Sequence, residues 1–305
     1  MSCTLRAICG RSAVRVLSGE GSGEIIAIHS KSVYIRLKSG GMLLLSPLLY
    51  GEVPFAAAFE DFSAVLKCAQ GKEGCRVDIV GSCIYFSSDE YIKVEITNRD
   101  AGGVAHTPQH LPDKDTVCGL ALFLMENASE RGMSGAIAPL IALGTPPSSA
   151  NSYALCAAGE ADLIERAFLC GDTAALGESI RRLVGLGMGL TPSGDDLICG
   201  MLYAFGCFSA VSDDCAKCRD MLRCVLDTKM LMRTNEISAQ YILSAVRGEY
   251  YEVVDRVLRD ITSTDDSSDI TQLLTSVRGL LSVGASSGSD ILCGILFASY
   301  VASLF

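Results

Sequence analysis

Apolar and polar positions give the chain two textures. From residue 24 to about 98 the apolar residues fall in short β-rich runs: Glu24–His29, Ser32–Leu37, Met42–Leu45, Arg76–Val80, Cys83–Phe86 and Tyr91–Ile96. The last alternates with period two, as a half-buried strand does. Ser39-Gly40-Gly41 predicts a hairpin turn, Gly81-Ser82 splits another pair of runs, and Phe55–Gln70 reads as a short helix against the sheet. Residues 1–100 are therefore expected to form a β-rich domain of barrel or sandwich type. Arg99–Asp113 is rich in Gly, Pro and His and predicts a linker, set at 101–113. Residues 114–305 then carry long helical patterns near Asp115–Ser129, Gly135–Leu143, Glu160–Cys170, Thr173–Leu186, Leu197–Ala210, Asp214–Met230, Ser238–Arg247, Tyr251–Asp260, Asp269–Leu281 and Ile291–Leu304. The expected class is α+β, with the β-rich and helical regions segregated.

A single pattern occurs twice within the helical region. Ser193-Gly194-Asp195-Asp196-Leu197-Ile198-Cys199-Gly200-Met201-Leu202 aligns with Ser287-Gly288-Ser289-Asp290-Ile291-Leu292-Cys293-Gly294-Ile295-Leu296. Apart from Asp195 against Ser289, each difference exchanges one apolar residue for another. A polar turn followed by a nearly uncharged run predicts a buried helix with a solvated or liganded start. Ser-x-x-Asp is also a capping box in acidic form, and capping alone would account for Ser193/Asp196 and Ser287/Asp290. On that reading Gly200 and Gly294 let another helix pack closely.

A capping box satisfies at most two of the four amides that a helix start leaves without internal partners. At a buried start the rest favour a bound anion, helped by the helix dipole. The first copy adds Gly185, Gly187 and Gly189, which allow close backbone approach, and Thr191 and the second acid Asp195. Asp195 and Asp196 beside an anion-binding turn suit Mg²⁺ held between protein and phosphate, or a polarised water. The candidate ligand residues are Gly187, Gly189, Thr191, Ser193, Gly194, Asp195 and Asp196 in the first copy. Ser286, Ser287, Gly288 and Asp290 stand in the second. The glycine run precedes no strand–helix unit, which excludes a dinucleotide fingerprint. Arg233, opening the Arg233-Thr234-Asn235 turn, offers a guanidinium for a phosphate or carboxylate.

Composition narrows the partners. A formal net charge of −10 and the absence of a basic cluster argue against nucleic acid. The apolar content of 49% supports a sizeable core without staples. The fourteen cysteines are scattered through apolar segments, as buried free thiols are. Cys215-x-x-Cys218 lacks a matching second pair for zinc, and His106 and His110 flank Pro108 with no third ligand in view. Met1–Arg6 leads into no apolar leader, and the terminal run Ile291–Phe305 is shorter than a bilayer span. A cytoplasmic protein without membrane contact is expected.

Gly189-Leu190-Thr191-Pro192-Ser193-Gly194-Asp195-Asp196-Leu197 with Gly200 resembles the signature of a bacterial domain-of-unknown-function family. That family includes the AllH-type subunit of oxamate carbamoyltransferase. Arg233-Thr234-Asn235-Glu236-Ile237-Ser238 resembles its middle segment, and Gly284 to Gly294 its C-terminal Gly-x-Ser-Ser-Gly-x-Asp pattern. Asn235 stands where the pattern leads one to expect a hydroxyl. The resemblance implies a carbamoyltransferase subunit of nitrogen (purine or allantoin) metabolism that works with larger partner subunits. It also implies a small phosphorylated or carboxylated metabolite as ligand, in a complex that interconverts oxalurate plus phosphate with oxamate and carbamoyl phosphate. The alternatives are a non-catalytic scaffold for those partners and a stand-alone metabolite-binding or phosphotransfer enzyme.

Overall fold

The computed structural model describes residues 2–48, 52–97, 107–128, 130–263 and 270–305. It contains two compact units, one built on the N-terminal strands and one on the helices, with Tyr250–Val253 grouped with the first. Residues 101–106 of the expected linker, His106 among them, lie outside the described residues.

The first unit is a closed eight-stranded barrel. Its strands are β1 (Ser2–Cys9), β2 (Glu20–His29), β3 (Ser32–Leu37), β4 (Met42–Pro47), β5 (Ala56–Phe59), β6 (Arg76–Val80), β7 (Cys83–Ser87) and β8 (Glu90–Ile96). Around the barrel they run β1-β5-β4-β3-β2-β6-β7-β8. The β1–β8 and β4–β5 pairs are parallel and the others antiparallel. Of the two architectures expected, the barrel is the one formed. Alternation points Ile25, Ile35, Leu43, Phe59, Val77, Ile79, Ile84 and Ile92 into its core. Gly40 and Gly41 have positive φ in the predicted β3–β4 turn, a conformation that glycine adopts without strain.

The helix expected over Phe55–Gln70 is two elements. Ala56–Phe59 is strand β5, wholly buried and paired with both β1 and β4. Burial and pairing on both sides override the helix preference of its alanines. Only Phe62–Ala69 (α2) is helical, started by Asp61, whose side chain accepts the Ala64 N–H. Strand β1 and the short helix α1 (Arg11–Leu17) were not expected at all.

The second unit is helical: α3 (Lys114–Asn127), α4 (Ile137–Leu140), α5 (Ser152–Cys170), α6 (Thr173–Leu183), α7 (Ser193–Phe208), α8 (Asp213–Val225), α9 (Thr228–Leu231), α10 (Glu236–Val246), α11 (Glu252–Ile261), α12 (Ile270–Leu281) and α13 (Ser287–Ala302). A single 3₁₀ turn, Ser134–Ala136, precedes α4. The helix expected over Asp214–Met230 breaks at Leu226, and Asp227 caps the short α9 through Met230 N–H. At the centre lie α7 and α13. Every residue of α7 except Gly206 is buried, and so is every residue of α13 except Ser287 and Tyr300. Such all-round apolar helices belong in a core. No helix among the described residues is long and apolar enough to cross a membrane.

Candidate functional site

The two copies of the repeated motif are the starts of α7 and α13, and they pack directly on one another. A side chain on Gly200 would place its Cβ 2.1 Å from the Ile291 carbonyl oxygen and 2.9 Å from Gly294 Cα. One on Gly294 would lie 2.0 Å from the Leu197 carbonyl oxygen and 2.9 Å from Gly200 Cα. The expected close approach is thus made, reciprocally, by the two glycines of the repeat. It sets the helix starts side by side.

The serines and acids of the repeat are exchanged across this contact. Ser193 hydrogen-bonds to the carboxyl of Asp290, and Ser287 to that of Asp196. This corrects the capping-box reading. Helix α7 is preceded by Pro192 and α13 by Ser286, and neither residue caps its helix through its side chain. Each motif's serine serves the other motif's acid across the close approach of Gly200 and Gly294.

Asp196 and Asp290 are 4% and 0% exposed. Burial, reinforced by the Asp290 charge, holds Asp196 well above the usual carboxylate range, against hydrogen bonds from Ser287 and Thr191. Burial also raises Asp290, to about 6, opposed by the Met133 N–H and the hydroxyls of Ser193 and Ser286. Met133 N donates to Asp290 Oδ1 at 2.5 Å. The other oxygen of each acid, Oδ2, is buried without a hydrogen-bond partner. Thr191 Oγ1, on the loop before α7, and Ser287 Oγ, on the first residue of α13, lie 3.0 Å apart, and both residues are half-buried.

Asp195 has a different environment. Its Oδ1 accepts the Gly185 N–H at 2.8 Å, and its Oδ2 accepts from Ser238 Oγ at 2.6 Å and from Thr234 Oγ1. Burial raises its pKa, while these donors pull it down. Adjacent in sequence, Asp195 and Asp196 leave α7 in different directions and face different partners. No cluster of three or more His, Cys, Asp or Glu side chains suited to a metal ion occurs among the described residues.

The remaining candidates divide between places packed against other backbone and places that face open space. Gly187 (φ 124°) passes over the α7 start, where a Cβ would sit 2.6 Å from Ser193 N. Gly194 and Gly288 admit the carbonyls of Leu183 and Leu280, at 2.0 and 1.8 Å from a built Cβ. Gly189 (φ 105°) faces open space. The amides of Gly194, Asp195 and Asp196 are engaged by Leu186 and Pro192, and those of Gly288 and Asp290 by Val283 and Ser286. Fewer amides are therefore free for an anion than four per helix. Arg233 is not brought to the acids: its Nε donates to the Arg181 carbonyl at 3.2 Å. Thr234 serves Asp195. Asn235, in place of the hydroxyl residue, caps α10 through Ser238 N–H and donates to the Leu190 carbonyl at 3.0 Å.

Sequence reasoning missed Gly132, Met133 and Ser238. A Cβ on Gly132 would lie 2.1 Å from Asp290 Oδ1, so only glycine lets this stretch of backbone reach the acid. The signal, an isolated glycine before a short turn, was present in Arg131-Gly132-Met133 but weak. None of the fourteen cysteines is joined in a disulfide. Burial, with nearby carboxyls, pushes Cys199 and Cys293 well above the ordinary thiol range, so neither is poised as a nucleophile.

Residues 183–299 match the family model of the oxamate carbamoyltransferase subunit AllH. The matched stretch holds both motifs, the Gly185–Leu190 loop and the Arg233–Ser238 turn, but none of the barrel. No curated protein and no solved structure matches the chain.

Proposed function

We propose that the chain is a subunit of an oxamate carbamoyltransferase-type complex, and that its paired helix starts bind a small carboxylated or carbamoylated metabolite. The family match supports the subunit assignment. The observation that carries the binding assignment is the cross-paired turn. Two helix starts, bridged by reciprocal serine–acid hydrogen bonds, bury two acids that keep one unpartnered oxygen each. Unsatisfied buried polar atoms are costly, and a ligand that pairs with them offsets that cost.

Positioning and electrostatics, rather than a covalent nucleophile, are what such a site supplies. Mg²⁺ does not enter this proposal, because Asp195 spends both oxygens on Gly185, Thr234 and Ser238. A scaffold role has one observation in its favour: Met188 and Met232, each 79% exposed, stand on the segments around the Gly185–Arg233 contact. Exposed methionines suit an adaptable protein contact.

Calorimetric titration of the full chain with carbamoyl phosphate separates the two. Binding is expected, weakened about tenfold or more in the Ser193→Ala/Ser287→Ala double variant, since each serine makes a buried hydrogen bond to an acid. No heat with the wild type, together with retention of larger partner proteins, would leave the scaffold reading.

A further inference from the structure

The end of α3, the turn at Ser134–Ala136, α4 and the loop before α5 enclose a cavity of about 200 Å³. None of its lining residues belongs to either repeated motif. Met125, Ile137, Ala138 and Pro147 give it apolar walls. Ile137 and Ala138 are buried while Met125 is 47% exposed, so the cavity runs from the core towards solvent. Glu130 is the one ionisable residue that lines it. The backbone of Glu130 is fixed, because the Asn151 side-chain amide donates to the Glu130 and Gly132 carbonyls at 2.6 and 2.8 Å. Its carboxylate forms no ion pair among the described residues. The net charge of −10 adds a field that draws cations and repels anions.

We infer that this cavity is a site for a small primary alkylammonium ion. The hydrocarbon stem packs against Met125, Ile137 and Pro147, and the ammonium donates to Glu130 and to the Ser149 hydroxyl at the same cavity. Size limits the ligand: a dry cavity of about 150 Å³ admits benzene, so this one takes about six to eight non-hydrogen atoms. A neutral alcohol of the same length keeps the stem contacts and loses the ion pair. A carboxylate of the same length meets Glu130 as a like charge. The site stands apart from the paired helix starts, and its fate is independent of the metabolite proposed there.

Three probes with one stem and different heads test it at neutral pH: n-pentylammonium, n-pentanol and n-pentanoate. Each is titrated into the full chain with labelled methionine methyls, and the Met125 methyl resonance is followed by NMR. Pentylammonium is expected to shift that resonance saturably. It should bind about threefold or more tightly than pentanol, the scale of an exposed ion pair, and pentanoate should bind more weakly than either. Glu130 is exposed, so Glu130→Gln keeps the fold. That variant should erase the preference for pentylammonium and leave pentanol binding unchanged. Ala128→Leu extends a side chain from a lining position and should abolish saturable binding of both. No saturable Met125 shift with pentylammonium or pentanol overturns the site. Equal wild-type affinity for the two overturns the ammonium assignment, as does a preference that survives Glu130→Gln. Binding that persists in Ala128→Leu lies elsewhere and overturns the cavity.

Discussion

The two turns that start α7 and α13 share a sequence and differ in what surrounds it. The second acid, Asp290, is held by a backbone amide from Met133, and its turn is otherwise spare: Ser289 Oγ donates back to the Ser286 carbonyl at 2.6 Å. The first acid, Asp196, has only hydroxyls for company. Its neighbour Asp195 instead ties the glycine loop at Gly185 to the start of α10. The loop before α7 is also longer, since Gly194 packs on Leu183 and Gly288 on the nearer Leu280. Duplicated geometry thus supplies the acid pair, and the departures from duplication make its halves unequal. Asp196 lacks the backbone amide that opposes the effect of burial at Asp290.

The sharpest break in the comparison is at the third motif position. Asp195→Ala leaves the Gly185 N–H, Thr234 and Ser238 without their acceptor, and is expected to destabilise by about 3 kcal/mol or more. Ser289→Ala, its counterpart, removes one local bond and should cost about 1 kcal/mol or less. Urea unfolding of both variants measures the difference. Near-equal losses would mean that Asp195 does not anchor the longer loop.

The next effect is smaller and depends on pH. Asp290 has a folded pKa of about 6, above its unfolded value near 3.8. An unfolded chain therefore releases this proton first as pH rises, so the folded state is favoured below the unfolded pKa and loses ground up to about pH 6. A shift of this size corresponds to a fall on the order of 2–3 kcal/mol. Asp196, raised further, extends the decline in the same direction. Asp290→Asn should flatten the profile between about pH 4 and pH 7, measured by chemical unfolding at each pH. An unchanged slope would show that Asp290 ionises as freely folded as unfolded.

The barrel's regular strands were legible because their pleat imposes a period of two on Ile25 to Ile35, Val77 to Ile79 and Tyr91 to Ile96. Ala56–Phe59 was not, since nothing in four small or apolar residues signals pairing on both edges. At the site, the repeat and its close-packing glycines were readable. The partners of its serines were not. Ser-x-x-Asp has the spacing of a local cap, and a sequence carries no mark that each serine reaches the acid of the other copy. Gly132 and Met133 were hidden for the same reason: their role exists only beside Asp290.

That exchange of partners is the central claim, and a double-mutant cycle reads it directly. Ser193→Ala and Asp290→Asn, alone and combined, should show a coupling of about 1 kcal/mol in unfolding free energy. Ser193→Ala with Asp196→Asn should show less than about half of that, because those two side chains share a motif but not a hydrogen bond. The reverse order, with strong coupling inside one motif and none between the two, would restore two independent capping boxes and contradict the composite site.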